Sequence, residues 1–224
     1  MNKKYTDTDK LWESYHTLLL GPDIGRLKKM LVRYDLYSMT KEVKGDILEC
    51  GVFKGSGLMF WLKLLSIYEP ESQKKVIGFD TFKLFGGALT KQETESAEEY
   101  LEEANVKEIS KDSIYNFAKN AGLDQRVELI EGDISLTAKD YVNENPERSI
   151  SLLHLDLDTY DGTKASLESL YPMVSSGGII IFDEYGDPKW NETEAVDEFF
   201  KETKSAQIKR ISYSSKPSAY IIKE

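Results

Sequence analysis

Hydrophobic positions along the chain alternate between short continuous apolar runs and longer segments with helical spacing. Continuous runs are typical of buried strands, and recurrence every three or four residues is typical of amphipathic helices. Runs of the first kind, each followed by a helical pattern, are "ILECG", "KVIGFD", "RVELIEGD", "ISLLHLD" and "GIIIFDEYGDP". Alternation of strands with helices predicts an α/β fold built on a doubly wound, mostly parallel sheet.

The two ends of the chain depart from this alternation. Before the first run, apolar spacing predicts helices around 11–19 and 27–37, separated by the break "GPDIG". After the last helix, "IKRISY" and "SAYIIKE" flank "SSKP" and predict a C-terminal antiparallel hairpin. We therefore expect an N-terminal helical segment, 1–44, packed on the core, and a main domain over 45–224.

Composition narrows the classes of partner. The chain has 224 residues and a net charge of −10, which suits one sizeable core and disfavours nonspecific binding to nucleic acid or anionic membrane. No apolar stretch is long enough to span a bilayer, and the first residues do not resemble a signal peptide. Cys50 is the single cysteine and lies in an apolar run, which predicts a buried, unreactive thiol. These features predict a cytoplasmic protein with neither nucleic acid nor membrane as a partner.

The stretch "ECGVFKGSG" follows the first predicted strand and opens a helix. Gly51 permits a tight turn, while Gly55 and Gly57 allow close backbone approach beside the free N–H groups of the helix. The spacing is neither the dinucleotide fingerprint nor a Walker A loop, which argues against a nicotinamide-dependent oxidoreductase. Glu49 suits a ligand with a positive group, such as a sulfonium, and Asp80 could accept hydrogen bonds from a ribose. A tight turn with an ordinary strand-end acid is the alternative.

Acidic residues mark the ends of the next two runs. Asp156 and Asp158 follow one run, and Asp183 and Glu184 end the other. If the two strands are neighbours, their ends lie about 5 Å apart, and Asp156, Asp183 and Glu184 are expected in one small volume, where they would repel one another. A hard divalent cation such as Mg²⁺ would relieve the repulsion, although separate acids held by caps and turns remain possible. His154 would share a sheet face with Asp156, either as its partner or as a core histidine.

The segment 91–106, "KQETESAEEYLEEANV", has one apolar face and one acidic face. It predicts a solvated surface helix or a mobile cover over the site.

The motifs together resemble a known family. They are "GDILECGVFKGSG", "VIGFDTF" with a following "FGG", "RVELIEGD" and "HLDLDTYDGTKASLESLYPMVSSGGIIIFDEYG". The chain is similar, from about Gly25 to about Phe200, to the macrocin O-methyltransferase (TylF-type) family. The resemblance implies a class I methyltransferase, Rossmann-like fold. It also implies S-adenosylmethionine and a divalent metal as cofactors, and methyl transfer to a hydroxyl of a sugar or sugar-containing small molecule.

The resemblance also assigns roles. Asp156, Asp183 and Glu184 would bind the metal, and Asp158 would be the general base, with Asp156 beside it in the catalytic site. The family often has Asp-Asp where this chain has Asp183–Glu184, and Thr159 excludes the lysine base that related catechol-type enzymes place near this point. The residues implied to hold S-adenosylmethionine are Glu49, Gly51, Gly55, Gly57 and Asp80, with Asp133 near the adenine.

Members of the family commonly form dimers or larger assemblies, so a homodimer or higher homo-oligomer is expected. Two readings compete with a metal-dependent O-methyltransferase. One is a metal-independent methyltransferase of the same fold, and the other is a non-catalytic module that binds S-adenosylmethionine.

Overall fold

The computed structural model describes residues 3–83, 91–103, 110–203 and 207–224. Its strands are β1 Asp46–Cys50, β2 Val76–Asp80, β3 Val127–Glu131, β4 Ile150–Leu155, β5 Val174–Phe182, β6 Lys209–Arg210 and β7 Ala219–Ile222. Its α-helices are α1 Lys3–Leu20, α2 Gly25–Ser38, α3 Ser56–Tyr68, α4 Lys91–Glu103, α5 Lys111–Asn120, α6 Ile134–Glu144, α7 Tyr160–Leu170 and α8 Glu192–Thr203.

The described strands form one sheet in the order β3-β2-β1-β4-β5-β7-β6. Strands β1 to β5 run parallel, while β7 pairs antiparallel with both β5 and β6. The predicted parallel sheet and the C-terminal hairpin are both confirmed. The order reverses between β1 and β4, and open α/β sheets bind ligands at the carboxyl ends of the strands beside such a point.

Each face of the sheet is covered by its own apolar core. On one face, Leu153 and Phe182 pack with residues of α6, α7 and α8. On the other face, Leu152 and Ile181 pack with residues of α2, α3 and α5. Successive side chains of a strand point to opposite faces, so a strand buried on both faces must be a continuous apolar run. Cys50 belongs to the first core, and burial raises the pKa of its thiol to about 12, as expected for an unreactive cysteine.

Two local features differ from the sequence prediction. Helix α5 was not predicted; it begins after Ser110, whose side chain accepts a hydrogen bond from the N–H of Ser113, and it buries Ile114 and Ala118. The stretch "DGTKASLESLYPMV" predicts one continuous helix, but α7 ends at Leu170, where a 3₁₀ turn over Tyr171–Met173 follows. Proline removes a backbone donor and crowds the preceding turn, which stops the α-helix there.

The N-terminal helices differ in how they pack. Helix α2 buries Val32, Arg33, Leu36 and Tyr37 against the sheet side of the molecule. Over 9–20, the described side chains of α1 are exposed or half-buried. The boundary between 44 and 45 and the homo-oligomer stay predictions. None of the described helices combines the length and apolar character needed to cross a bilayer.

Candidate functional site at the carboxyl edge of the sheet

Asp80, at the end of β2, holds the glycine loop between β1 and α3 through hydrogen bonds from the backbone of the loop. One carboxylate oxygen of Asp80 accepts hydrogen bonds from the N–H groups of Val52 and Phe53, both at 2.8 Å. The other oxygen accepts from Phe82 N–H at 2.7 Å. Asp80 therefore fixes the loop through its backbone as well as lining the cleft, a structural role that the strand-end position alone did not reveal.

Two of the loop glycines are required by the protein's own backbone and side chains. Gly51 has φ +91°, and a Cβ there would lie 1.8 Å from the carbonyl oxygen of Asp156. A Cβ at Gly57 would lie 2.1 Å from Glu49 Oε1. Gly51 thus brings the loop against the end of β4, and Gly57 makes room for a buried carboxylate. The sequence assigned Gly51 to a tight turn and Gly57 to close backbone approach, and the structure shows an internal contact that requires each glycine.

Three buried ionisable residues, Glu49, His154 and Asp183, form a hydrogen-bonded relay from β1 across β4 to the end of β5. His154, in β4, lies 3.1 Å from Glu49 Oε1 through Nδ1 and 3.1 Å from Asp183 Oδ1 through Nε2. Burial lowers the pKa of His154, but its hydrogen bonds to the two carboxylates outweigh burial and raise it. An imidazolium that donates from both nitrogens explains this arrangement. His154 is therefore the partner of two site acids.

Asp183 is neutralised on its other side by Lys29 of α2. Lys29 Nζ lies 2.9 Å from Asp183 Oδ2 and 3.8 Å from Asp156 Oδ2. Arg33, one turn further along α2, lies 3.8 Å from the same oxygen of Asp156. Burial would raise the pKa of Asp183, but Lys29 and His154 hold it well below its usual range. Asp183 is thus a paired, ionised carboxylate.

The carboxylates on the cleft side are less well paired. Asp156, Asp158 and Glu184 bring oxygens within 4.8 Å of one another. Among the described residues, Asp158 Oδ1 and Glu184 Oε2 are buried without a hydrogen-bond partner. Burial and the neighbouring carboxylates raise the pKa of Asp158 well above its usual value and that of Glu184 to about 7. Asp158 also has φ +60°, a conformation that costs a non-glycine residue energy and is concentrated at functional sites.

Another buried acid contacts this group. Glu192, at the start of α8, is buried, and its Oε1 accepts a hydrogen bond of 3.0 Å from the N–H of Glu184. Burial first, and then Asp183 and Glu184, raise the pKa of Glu192 well above its usual value. Lys216, in the loop before β7, lies 2.6 Å from Glu184 Oε1. Glu184 is therefore fixed through its backbone by one residue and through its side chain by another.

A hard cation fits this arrangement because two of the carboxylate oxygens have no hydrogen-bond partner among the described residues. Buried polar atoms normally have partners, so two unpartnered oxygens in one group of neighbouring carboxylates indicate a missing ligand. Oxygen donors alone suit Mg²⁺, Mn²⁺ or Ca²⁺. The predicted ligands Asp156, Asp183 and Glu184 fall into two adjoining groups that share Asp156: one with Asp158 and Glu184, the other with His154 and Asp183. The predicted set stays a prediction.

The acid cluster opens into a cleft of about 1700 Å³. Predicted site residues that line the cleft are Glu49, Gly51, Gly57, Asp80, Asp133, Asp156, Asp158 and Glu184. Gly55 and Asp183 lie behind the wall: Gly55 precedes α3 in a left-handed conformation, packed on Ile114. Asp133 caps α6 through a hydrogen bond of 2.9 Å from Ser135 N–H to Oδ1. The cleft has room for a nucleoside-sized cofactor and an acceptor together.

The sequence missed four residues that line this cleft, Lys29, Arg33, Tyr100 and Lys216, and the buried Glu192 behind it. The ring of Tyr100, in α4, packs at a tilt against Phe53 of the glycine loop, with ring centroids 5.5 Å apart. Burial is the main cause that raises the pKa of Tyr100, and the charge of Asp156 is the second. Helix α4 spans 91–103 of the segment 91–106 that the sequence predicted as a surface helix or a cover over the site. The remaining residues, 104–106, lie outside the described part of the chain, as does the loop 84–90. The signal for Lys29 and Arg33 was present as two cations spaced i, i+4 along a helix that buries Val32 and Leu36.

Comparisons with known proteins identify the family of the chain. Residues 24–215 match the family model described as macrocin-O-methyltransferase (TylF). The chain belongs to the macrocin-O-methyltransferase (TylF) family. The expected resemblance is confirmed.

Named relatives of this TylF-family chain are O-methyltransferases. Mycinamicin III 3''-O-methyltransferase of Micromonospora griseorubida is 29% identical over 161 residues, covering 70% of this chain and 61% of the relative. The 8-demethyl-8-(2,3-dimethoxy-alpha-L-rhamnosyl)-tetracenomycin-C 4'-O-methyltransferase of Streptomyces olivaceus is 28% identical over 64% of this chain and 54% of its own length. The aligned region thus spans just over half the length of these two relatives.

Solved structures confirm the fold class. A TDP-rhamnose 3'-O-methyltransferase of calicheamicin biosynthesis superposes with a TM-score of 0.66 and 32% identity, covering 88% of this chain and 79% of its own. The seven described strands, ordered 3-2-1-4-5-7-6 with antiparallel strands at the C-terminus, form the class I methyltransferase, Rossmann-like sheet.

Proposed function

We propose that the protein is an S-adenosylmethionine-dependent O-methyltransferase that acts on a hydroxyl of a sugar carried by a small molecule, with a divalent cation in the acid cluster. The observation that carries the proposal is the group of Asp156, Asp158 and Glu184, with buried unpartnered oxygens, beside the glycine loop in one cleft. Family membership and the names of the relatives support the reaction and the class of acceptor.

S-adenosylmethionine would be held along β1 and the glycine loop. Glu49 has a buried Oε2 without a described partner, which suits a donor group of a ligand lying over Gly51 and Gly57. Asp80 and Asp133 line the same cleft at the ends of β2 and β3. When bound, the cofactor supplies an electrophilic methyl group on a sulfonium. The protein's contribution is to align that group with the acceptor, since well-oriented reactants gain large effective molarities.

A sugar hydroxyl is a weak nucleophile at neutral pH, so a base must remove its proton. Two features support Asp158 as this base: its Oδ1 has no described partner, and its raised pKa favours accepting a proton. Asp156 and Glu184 would hold the metal together with Asp158 or Asp183. When bound, the metal supplies a Lewis acid that lowers the pKa of the acceptor hydroxyl. Glu192 and Lys216 keep Glu184 in place through its N–H and its Oε1.

One observation favours the metal-independent alternative. Lys29 already provides a positive charge 2.9 Å from Asp183 and 3.8 Å from Asp156. An ammonium at that point would neutralise part of the cluster without a metal. Chelation separates the two readings, because a metal-dependent enzyme stops in EDTA and recovers when Mg²⁺ is added back.

The test measures S-adenosylhomocysteine release with TDP-rhamnose and with rhamnosylated small molecules as acceptors. We expect turnover that EDTA abolishes, and calorimetric binding of S-adenosylhomocysteine that EDTA leaves unchanged. The Asp156→Ala variant should lose turnover and metal binding but keep the cofactor. Wild-type turnover of this variant in EDTA would refute the metal role, and failure to bind either S-adenosylmethionine or S-adenosylhomocysteine would refute the proposed reaction.

A further inference from the structure

Lys29 occupies an unusual position for a lysine. Its side chain is 24% exposed, and its ammonium lies 2.9 Å from Asp183 Oδ2 and 3.8 Å from Asp156 Oδ2. Ordering a lysine side chain costs conformational entropy, and burying its charge costs solvation, so the ion pairs must offset both. The neighbouring Lys28 forms no ion pair with the described residues, so the helix itself does not dictate such a contact.

The inner and outer carboxylates share one member. Asp156 belongs with Asp158 and Glu184 in the group that has orphaned oxygens, and it belongs with His154 and Asp183 in the group that Lys29 approaches. A divalent cation bound through Asp156 would therefore lie within a few ångströms of the Lys29 ammonium. Like charges at such separations repel, and both compete for the same carboxylate oxygens.

We propose that Lys29 is a positioning residue, a resident counter-ion that holds Asp183 and Asp156 in the metal-free protein and is displaced when a divalent cation binds. The inference rests on the proposed metal site. Lysine suits this role because its ammonium is a compact charge on a flexible four-carbon stem, and Lys29 also lines the open cleft into which it can turn. Metal binding would then release the contact between α2 and the end of β5.

The first test compares metal affinity in Lys29→Met and in a matched control, Lys28→Met. Removing the competing charge should lower the Kd for Mn²⁺ at least about tenfold, or 1.4 kcal/mol, by calorimetry or electron paramagnetic resonance. Lys28→Met removes the same charge one residue away and should stay within about twofold of wild type. A purely structural role for Lys29 predicts the opposite, since a disordered cluster would bind metal more weakly.

The second test uses the unaltered protein, so it does not depend on the variant folding. An amine-reactive ester labels lysines, and mass spectrometry reports the rate at each position with and without Mn²⁺. We expect labelling of Lys29 to rise several-fold when Mn²⁺ is added, with Lys28 unchanged, because a displaced ammonium becomes accessible.

The outcomes separate the two proposals. If wild type and Lys29→Met bind Mn²⁺ with equal Kd, or if Mn²⁺ leaves Lys29 labelling unchanged or lower, the displacement is wrong while the metal site stands. If neither protein binds Mn²⁺ or Mg²⁺, both proposals are wrong. Tight binding by Lys29→Met together with weak binding by wild type supports the displacement directly.

Discussion

Acidic side chains lie at both edges of the central sheet, and the two edges treat them differently. At the amino edge, Asp46 accepts a hydrogen bond of 2.8 Å from the N–H of Lys75 and lies 3.6 Å from Arg148. Glu128, on β3, lies 3.3 Å from the same guanidinium and 3.9 Å from Lys75 Nζ. Each acid there has a cation to match it.

At the carboxyl edge the described acids outnumber their cations. Asp156, Asp158, Asp183, Glu184 and Glu192 converge there, and unpartnered oxygens remain on three of them. Ion pairs near the surface contribute little to the stability of a protein. Buried acids without a cationic partner lower that stability, and such acids are concentrated at functional sites. The difference between the edges, more than the number of acids, identifies the functional one.

The largest expected contrast is in turnover. Asp158→Asn removes the proposed base and should lower kcat by about 10² to 10⁴-fold, the range typical of a positioned general base. Its match at the other edge, Asp46→Asn, should leave kcat within about threefold, because Asp46 contacts only backbone and surface cations. Steady-state methyl transfer at saturating cofactor measures both. Equal losses in the two variants would remove the distinction between the edges.

The next contrast is in stability. His154→Leu leaves Glu49 and Asp183 buried with one partner fewer each, and breaking a buried ion pair typically costs about 3–5 kcal/mol. Arg148→Met breaks partly exposed pairs and should cost about 1 kcal/mol or less. Urea denaturation of the metal-free proteins gives both values. A smaller loss for His154→Leu than for Arg148→Met would contradict the buried relay.

The pH dependence of the free energy of unfolding tests one acid of the carboxyl edge, Glu184. Burial first, and then Asp183, raise the pKa of Glu184 from its ordinary 4.5 to about 7 in the folded protein. The folded state therefore holds an extra proton between these values, and the free energy of unfolding should fall as pH rises from about 4.5 to 7, by up to about 3 kcal/mol. Glu184→Gln cannot titrate and should show a flatter profile over that range. Identical profiles for the two metal-free proteins would exclude Glu184 as the cause.

The smallest expected effect is stabilisation by metal. A ligand that binds only the folded state adds about 2.7 kcal/mol at one hundred times its Kd. Mg²⁺ should therefore raise the Tm of wild type at pH 8, where the carboxylates are ionised, and leave Asp156→Asn unchanged. Asp46→Asn should still respond. A response that persists in Asp156→Asn would place the cation elsewhere.

Much of the fold could be predicted because strands buried on both faces must be continuous apolar runs, such as "ISLLHL" of β4, buried throughout. Helix α5 was missed because it is short and partly exposed, with Ile114 and Ala118 as its buried positions. The end of α7 was misplaced because apolar positions continue past Leu170, whereas Pro172, which lacks a backbone donor, ends the α-helix. These errors are local and leave the order of the sheet unaffected.

The sequence by itself determined that Asp156, Asp158, Asp183 and Glu184 share one edge. Asp156 and Asp183 each directly follow a buried strand, Asp158 and Glu184 come within two residues of them, and neighbouring parallel strands end together. Only the tertiary structure decided how each acid is neutralised. Lys29 lies 154 positions from Asp183 along the chain, and Lys216 reaches Glu184 from the loop before β7. Spacing rules act over one turn or one strand, so they cannot pair residues that meet only when helices and loops close over the sheet. Which carboxylate oxygens stay free for a cation is therefore a property of the folded protein.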